Sequence, residues 1–288
     1  FDGILCESSP SFRILAKQAK LLGKKVLVLS DGPDELLNGY DVDLRVHNIT
    51  QKMQKFSHEK RVCIKDLALT RESWLGRSQD LLNWAYLNSN PVATRPNHGG
   101  TAKNIMSELI SESYKDAAFK KYGVSRDVEF MQYDSLDTLQ RLSLGYLQSS
   151  LPDYVNTRSD RGSMKEGVEV RLPFLSTSIV ELSMSTPGKF RIDSKGRGKN
   201  ILRTLVDKNI GGVISKRNKY GFAAPFWMIP GNRDKIGMDD IINSSSIFDR
   251  DVFHKTVRQE VFKQGNERLV WMAYSLAMTE RKLKEIRV

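Results

Sequence analysis

The chain has 288 residues, 40% of them hydrophobic and 27% charged, enough for one large α/β domain or two smaller ones. Its 45 Lys and Arg outweigh 34 Asp and Glu, a formal net charge of +11 that suits nucleic acid, anionic lipid or nucleotide phosphates without choosing among them. Two cysteines and four scattered histidines argue against a zinc cluster or a disulfide framework and fit a reducing, cytoplasmic compartment, and no apolar run or signal peptide points to a membrane.

Residues 8–22 read as a helix. Ser8 or Ser9 can cap it, Pro10 suits its first turn, and Phe12, Leu15, Ala16, Ala19 and Leu22 share one face. Gly23 stops it. Val26-Leu27-Val28-Leu29 then has no polar alternation and reads as a strand buried on both faces, as inside a parallel sheet. Its end delivers three acids, Asp31, Asp34 and Glu35, around Gly32 and Pro33. Ligands of open α/β sheets bind beyond the carboxyl ends of the strands, so these acids stand where a metal or a nucleophile would be handled. Taken alone, the turn reads first as a helix start, with Asp34 capping Glu35-Leu36-Leu37.

From about 41 to 150 the pattern is polar, charged and mostly helical. Lys52 to Lys65 has little apolar periodicity and reads as solvated, whereas Trp74, Leu75, Leu81, Leu82, Trp84, Ala85 and Leu87 carry enough apolar surface to pack. Pro91, Pro96, Asn97, Gly99 and Gly100 mark a loop, and helices are predicted around Ile105–Ile110 and along Leu136, Leu139, Leu142 and Leu147. Next, Leu151–Val155, Asp160-Arg161-Gly162-Ser163-Met164 and Glu169-Val170-Arg171-Leu172-Pro173-Phe174-Leu175 interleave both charge signs with apolar residues. Such a block is either a set of solvated ion pairs or an active-site wall. Helical runs follow at Ile179–Leu182 and Ile201–Val206. Ser215 to Phe226 sets basic residues beside a Gly-aromatic turn, which is a basic surface turn or a phosphate contact. A last amphipathic helix places Leu269, Met272, Ala273 and Leu276 on one face. The chain opens on Phe1 and reaches a buried strand after barely one helix, so a piece of a longer protein is expected.

Four of these blocks, in order, resemble the synthetase domain of glutamine-dependent asparagine synthetases. Ser30-Asp31-Gly32-Pro33-Asp34-Glu35-Leu36-Leu37-Asn38-Gly39-Tyr40 resembles Gly-Glu-Gly-Ala/Ser-Asp-Glu-Leu-Phe-Gly-Gly-Tyr. Asp160 to Met164 resembles Asp-Arg-Ala-Ser-Met, and Glu169 to Leu175 resembles Glu-Val-Arg-Val-Pro-Phe-Leu. Arg217-Asn218-Lys219-Tyr220-Gly221-Phe222 resembles Arg-Pro-Lys-x-Gly-Phe, with Pro225 after it, and the tail from Ile247 is similar too. The resemblance implies an α/β fold of the HUP type, a parallel sheet with a large helical portion, over residues 1–288, with a helical insertion at about 41–150. It implies ATP and Mg²⁺ as cofactors, and a reaction in which a carboxylate attacks the α-phosphorus of ATP and ammonia then displaces AMP. Aspartate is the acceptor of first choice. The resemblance also implies glutamine as the ammonia source, through an N-terminal domain expected upstream of Phe1.

Carried over residue by residue, Asp34 is the Mg²⁺ ligand and Lys219 contacts the α-phosphate or pyrophosphate. Asp31 assists ammonia attack, and Ser30, Gly32, Asp160 and Arg171 support the nucleotide. Pyrophosphate leaves with dense negative charge, which a metal ion and a lysine would neutralise as it forms. Asp31 stands where the family has glutamate. One methylene less sets its carboxylate roughly 1.5 Å further back. Ser30, Pro33 and Asn38 also depart from the family's small residues, and Asp34 and Asp160 stand further apart than in a plain asparagine synthetase. The family's Ser-Gly-Gly-x-Asp-Ser phosphate loop and glutaminase cysteine are expected upstream of Phe1, so the piece alone is expected to be inactive. Two classes follow: an amide-forming ligase, compatible with a homodimer, and a catalytically silent, nucleic-acid-binding relative. Within the first, an amidotransferase of sugar or secondary-metabolite synthesis is the alternative to asparagine synthesis.

Overall fold

The structure is a computed structural model, and it describes residues 8–69, 80–81, 84–85, 135–148, 150–217, 240, 244–247 and 267–286. Helix α1 spans Ser9–Leu21 with Pro10 in its first turn, where the missing N–H loses no helical bond. Its buried stripe is Phe12, Ala16 and Ala19; Leu15 and Leu22, predicted on the same face, are 42% and 73% exposed. Among the described residues the stripe packs mainly on one short helix and one short strand.

Strand β1 (Val26–Val28) pairs in parallel with β2 (Glu169–Arg171), Val26 opposite Glu169 and Val28 opposite Arg171. Leu27 packs against Ala16, Ala19 and Val168. Val26 and Val28 point the other way and are 36% and 68% exposed, so the strand is not buried on both faces as its sequence predicts. Helix α1 covers one face of the pair, and among the described residues nothing covers the other. Paired residues share a face, so Glu169 and Arg171 lie on the open side with the two valines.

After β1 the chain turns into helix α2, four residues from Pro33 to Leu36. Its N-cap is Gly32, at φ +110°, a conformation that glycine adopts without the steric penalty of a side chain. Asp34 is therefore inside the first turn and is not the cap. Helices α3 (Asp41–Met53), α4 (His58–Leu69) and α5 (Thr138–Gln148) come from the 41–150 stretch. Val42, Val46, Ala68, Leu81, Trp84, Ala85, Leu139, Leu142 and Tyr146 form their common core. Helix α5 also packs against α2, so the stretch meets the acidic loop directly. The predicted elements around Trp74 and Ile105–Ile110 lie outside the described residues.

A π-helical turn, Leu151–Asn156, leads into α6 (Thr157–Met164), which packs on α1. Beyond β2 come a 3₁₀ turn (Pro173–Leu175), α7 (Thr177–Ser185), a second 3₁₀ turn (Gly188–Phe190), α8 (Asn200–Asn209) and α9 (Gly212–Ser215). The closing helix α10 spans Glu267–Ile286 and buries Trp271 and Ala277. Of its predicted stripe Leu276 is half-buried, and the side chains of Leu269, Met272 and Ala273 are outside the described set. No helix among the described residues is long and apolar enough to cross a membrane.

The centre of the described core is polar. Arg191 is fully buried and donates to the carbonyls of Leu36 (3.0 Å), Thr186 (2.9 Å) and Ser183, to Asn38 Oδ1 (3.1 Å) and to Ser143 Oγ (2.8 Å). Burial lowers its pKa to about 10, and it stays charged at neutral pH. Asp43, also fully buried, accepts from Tyr146 Oη at 2.7 Å and from Asn38 Nδ2 at 3.5 Å. Burial outweighs both hydrogen bonds and raises its carboxyl to about 7.

Replacing Arg191 with Met would leave several buried acceptors unmatched, each a penalty of about 1–3 kcal/mol. We expect a loss of about 3 kcal/mol or more, read as a lower urea midpoint; a midpoint within error of wild type would refute the role. Asp43 binds its proton more tightly folded than unfolded. Its stabilising contribution is therefore full below the unfolded value of 3.8 and is lost as pH rises through about 7. Asp43→Asn keeps an acceptor for Tyr146 and should flatten the decline in stability between those limits, as measured by urea melts along the pH series.

Candidate active site

The acids at the end of β1 divide between two environments. Asp31 and Asp34 are partly exposed, their side chains 15% and 29% accessible, whereas Glu35 is buried, 3% exposed, and accepts a hydrogen bond from Tyr40. Burial raises the Glu35 carboxyl, and burial beside Glu35 raises the Tyr40 phenol. The sequence grouped all three acids at the ligand; helical geometry separates them, because neighbouring residues on a helix face different sides.

Each of the two outward acids meets a cation that the sequence reading did not single out. Arg158, on α6, places Nη2 3.2 Å from Asp31 Oδ1. The guanidinium is held by Ser8 Oγ at 3.2 Å and lies over the Phe12 ring at 5.3 Å. The other carboxylate oxygen, Asp31 Oδ2, is buried and accepts no hydrogen bond in the protein. Lys199 Nζ lies 2.7 Å from Asp34 Oδ1, an ion pair without hydrogen-bond alignment. Lys199 has a left-handed backbone, φ +60°, and its N–H donates to Leu37 O at 2.9 Å, which docks the 193–199 turn on the acidic loop. The approach is close: a methyl group at Gly39 would overlap Asp34 Oδ1 and press on Lys199 Cε. A signal for Lys199 was present in Lys195-Gly196-Arg197-Gly198-Lys199, where small residues alternate with basic ones ahead of a helix.

The other candidates are less concentrated. Ser30 is exposed at the end of β1, and Gly32 is buried where an added methyl would meet Leu175. Asp160 is exposed on α6, one turn from Arg158's end of the helix. Arg171 is on the open sheet face, paired with Glu169 at 2.9 Å, and reaches neither Asp31 nor Asp34 in any described contact. Lys219 lies outside the described residues. Among the described residues no three acids, histidines or cysteines form a metal cage. Asp31 Oδ2, which accepts no hydrogen bond in the protein, and Asp34 Oδ1, once Lys199 moves off it, would suit Mg²⁺, which takes one or two carboxylates and completes its shell with water and phosphate oxygens.

A glycine-led acidic loop stands at the carboxyl end of a parallel strand and is met by cations from two later segments, at the place where open α/β sheets bind their ligands. The chain matches the asparagine synthase family model over residues 2–281, and it belongs to that family of ATP-using, amide-forming ligases. The family implies the expected HUP-like fold, of which two parallel strands are described. No curated protein and no solved structure shows a significant match.

The Asp31–Arg158 pair is largely buried, the side chains 15% and 16% exposed. Removing the cation alone strands a carboxylate in a poorly solvated place. Arg158→Met should destabilise by about 3 kcal/mol, and Asp31→Asn added to it should recover a good part of that loss. A double-mutant cycle in urea measures the coupling; strict additivity would show that the pair is incidental.

Proposed function

We propose that this domain activates a carboxylate with ATP as an acyl-adenylate, which ammonia then converts to an amide, with aspartate as the acceptor of first choice and glutamine as the ammonia source. The observation that carries the reading is the loop itself: Asp31 and Asp34 at the end of β1, each with an oxygen that no protein hydrogen bond occupies, flanked by Arg158 and Lys199. Asp34 would hold Mg²⁺, which supplies charge neutralisation at the phosphates. Lys199, free to exchange Asp34 for a phosphate oxygen, adds a second cation beside it, and Lys219 a third. Asp31 is the acceptor for a proton of the attacking ammonia, through Oδ2, the buried oxygen that Arg158 does not pair.

Arg158 supports the reading that the pocket is adapted to the shorter acid. An aspartate gripped by a guanidinium has a fixed orientation, so the pocket is built around the Asp31 carboxylate where it stands. On this view lengthening the acid to Glu would crowd Arg158 and lower turnover.

ATP–pyrophosphate exchange on the full-length protein, with aspartate and with other carboxylates, tests the function. Exchange that depends on one carboxylate is expected, and Lys199→Ala should lower it by about two orders of magnitude, the effect of removing one donor to developing charge. Absence of exchange with every carboxylate, together with salt-sensitive RNA binding, would instead favour a silent relative that uses the positive charge.

A further inference from the structure

The turn that carries Lys199 to the acidic loop is held from behind by an arginine outside the site. Arg203, one turn into α8, donates Nε to the carbonyl of Gly198 at 3.0 Å. Its Nη1 donates to the carbonyl of Ser215, at the end of α9, and to that of Arg217 at 3.0 Å. One guanidinium thus joins the peptide that precedes Lys199 to the backbone at 215–217. A planar guanidinium offers its donors in a fixed fork, so the carbonyls it joins are set in both distance and direction. Lys219 follows two residues after Arg217, so the same brace fixes the backbone from which that segment starts.

Lys199 needs such support. Its left-handed backbone, φ +60°, costs a lysine free energy and lasts only where the surroundings over-determine it. The turn meets the loop across a backbone contact with no room to spare: a methyl group on Gly198 would overlap the Asn38 carbonyl oxygen. Two hydrogen bonds fasten it on that side, Lys199 N–H to Leu37 O and Asn200 N–H to Arg191 O, both 2.9 Å. Inside the turn, Asp193 accepts from the N–H groups of Lys195 (2.9 Å) and Arg197 (2.8 Å) and pairs with the Arg197 side chain. Packing adds little, since among the described residues none of α8 is buried. It is Arg203 that holds the Gly198 carbonyl, and with it the tilt of the Gly198–Lys199 peptide.

We propose that Arg203 is a positioning residue for the nucleotide site. By orienting the Gly198–Lys199 peptide it aims the Lys199 ammonium at the acidic loop, where Asp34 Oδ1 receives it at 2.7 Å. Its described hydrogen bonds all go to main-chain carbonyls, the pattern of a brace and not of a ligand contact. The inference rests on the reading of Lys199 as a phosphate contact, and it adds the residue on which that contact depends.

Arg203→Gln in the full-length protein tests this in two arms. In hydrogen exchange followed by mass spectrometry, the 193–200 peptide should exchange about tenfold faster or more while the 138–148 peptide of α5 keeps its rate. In ATP–pyrophosphate exchange, kcat/KM for MgATP should fall roughly ten- to a hundredfold, with the KM for the carboxylate within about twofold of wild type. Arg203→Lys, able to reach one carbonyl at a time, should recover part of both effects. In a Lys199→Ala background, Arg203→Gln should cost no more than about twofold further. An unchanged rate for the 193–200 peptide, equal losses for MgATP and carboxylate, or losses that add in full would each overturn the proposal. Wild-type protein that exchanges with no carboxylate would overturn the ligase reading by itself, and the hydrogen-exchange arm would then decide whether Arg203 positions Lys199.

Discussion

One carbonyl oxygen holds the acidic loop in place. Leu36 O, at the end of α2, receives Ser183 Oγ at 2.6 Å, Arg191 Nη1 at 3.0 Å and Ser143 Oγ at 3.2 Å. The donors come from α7, from the turn after it and from α5, each more than a hundred residues along the chain from the carbonyl they hold. A helix of four residues cannot stand by its own hydrogen bonds, since nucleation alone consumes most of what they return. The end of α2 is instead fixed by convergence in a place where water does not compete, and where each hydrogen bond is stronger for that reason. Everything the loop presents outward inherits its position from this point.

Charge is then distributed around the fixed loop. Three acids within five residues repel one another, and the fold relieves this in three ways. Glu35 goes inward to Tyr40, Asp31 takes Arg158, and Asp34 takes Lys199. Asp31 keeps one oxygen without a hydrogen bond from the protein, and the Asp34 oxygen that faces Lys199 is held by an ion pair alone. Arg158 is itself steadied by Ser8 and Phe12 from the first helix, so the orientation of Asp31 depends on α1 packing against α6. The loop thus presents carboxylates and cations side by side.

Much of this was legible in the residues, and the parts that were not share a cause. Local pattern located α1, β1, the helical runs 179–182 and 201–206, and the loop with Asp31 and Asp34, because helix stops, an apolar run and a glycine turn are nearest-neighbour chemistry. It failed where the answer depends on what lies opposite. The apolar run at 26–29 looked buried on both sides, but Val26 and Val28 face outward where nothing described covers them. Asp34 looked like a cap, but Gly32 takes that position and leaves Asp34 to a lysine far along the chain. Arg158 and Lys199 went unnoticed because an arginine or lysine in a charged stretch carries no mark of the acid it will meet. Arg191 was missed for the opposite reason: a single arginine after a Pro-Gly turn reads as surface, and only the tertiary fold buries it.

Asn38 stands where the asparagine synthetase pattern has glycine, and its backbone keeps the left-handed conformation, φ +53°, that a glycine would have served. Its side chain is not a passive substitute. The amide oxygen takes one hydrogen of Arg191, and the amide nitrogen bonds Leu139 O at 3.0 Å. A lineage that reverted Asn38 to glycine would lose two anchors while leaving the backbone comfortable, and the arginine would need a new acceptor in the same step. The two positions are thus bound into a shared evolutionary fate: in this branch of the family, residues 38 and 191 should drift together or not at all.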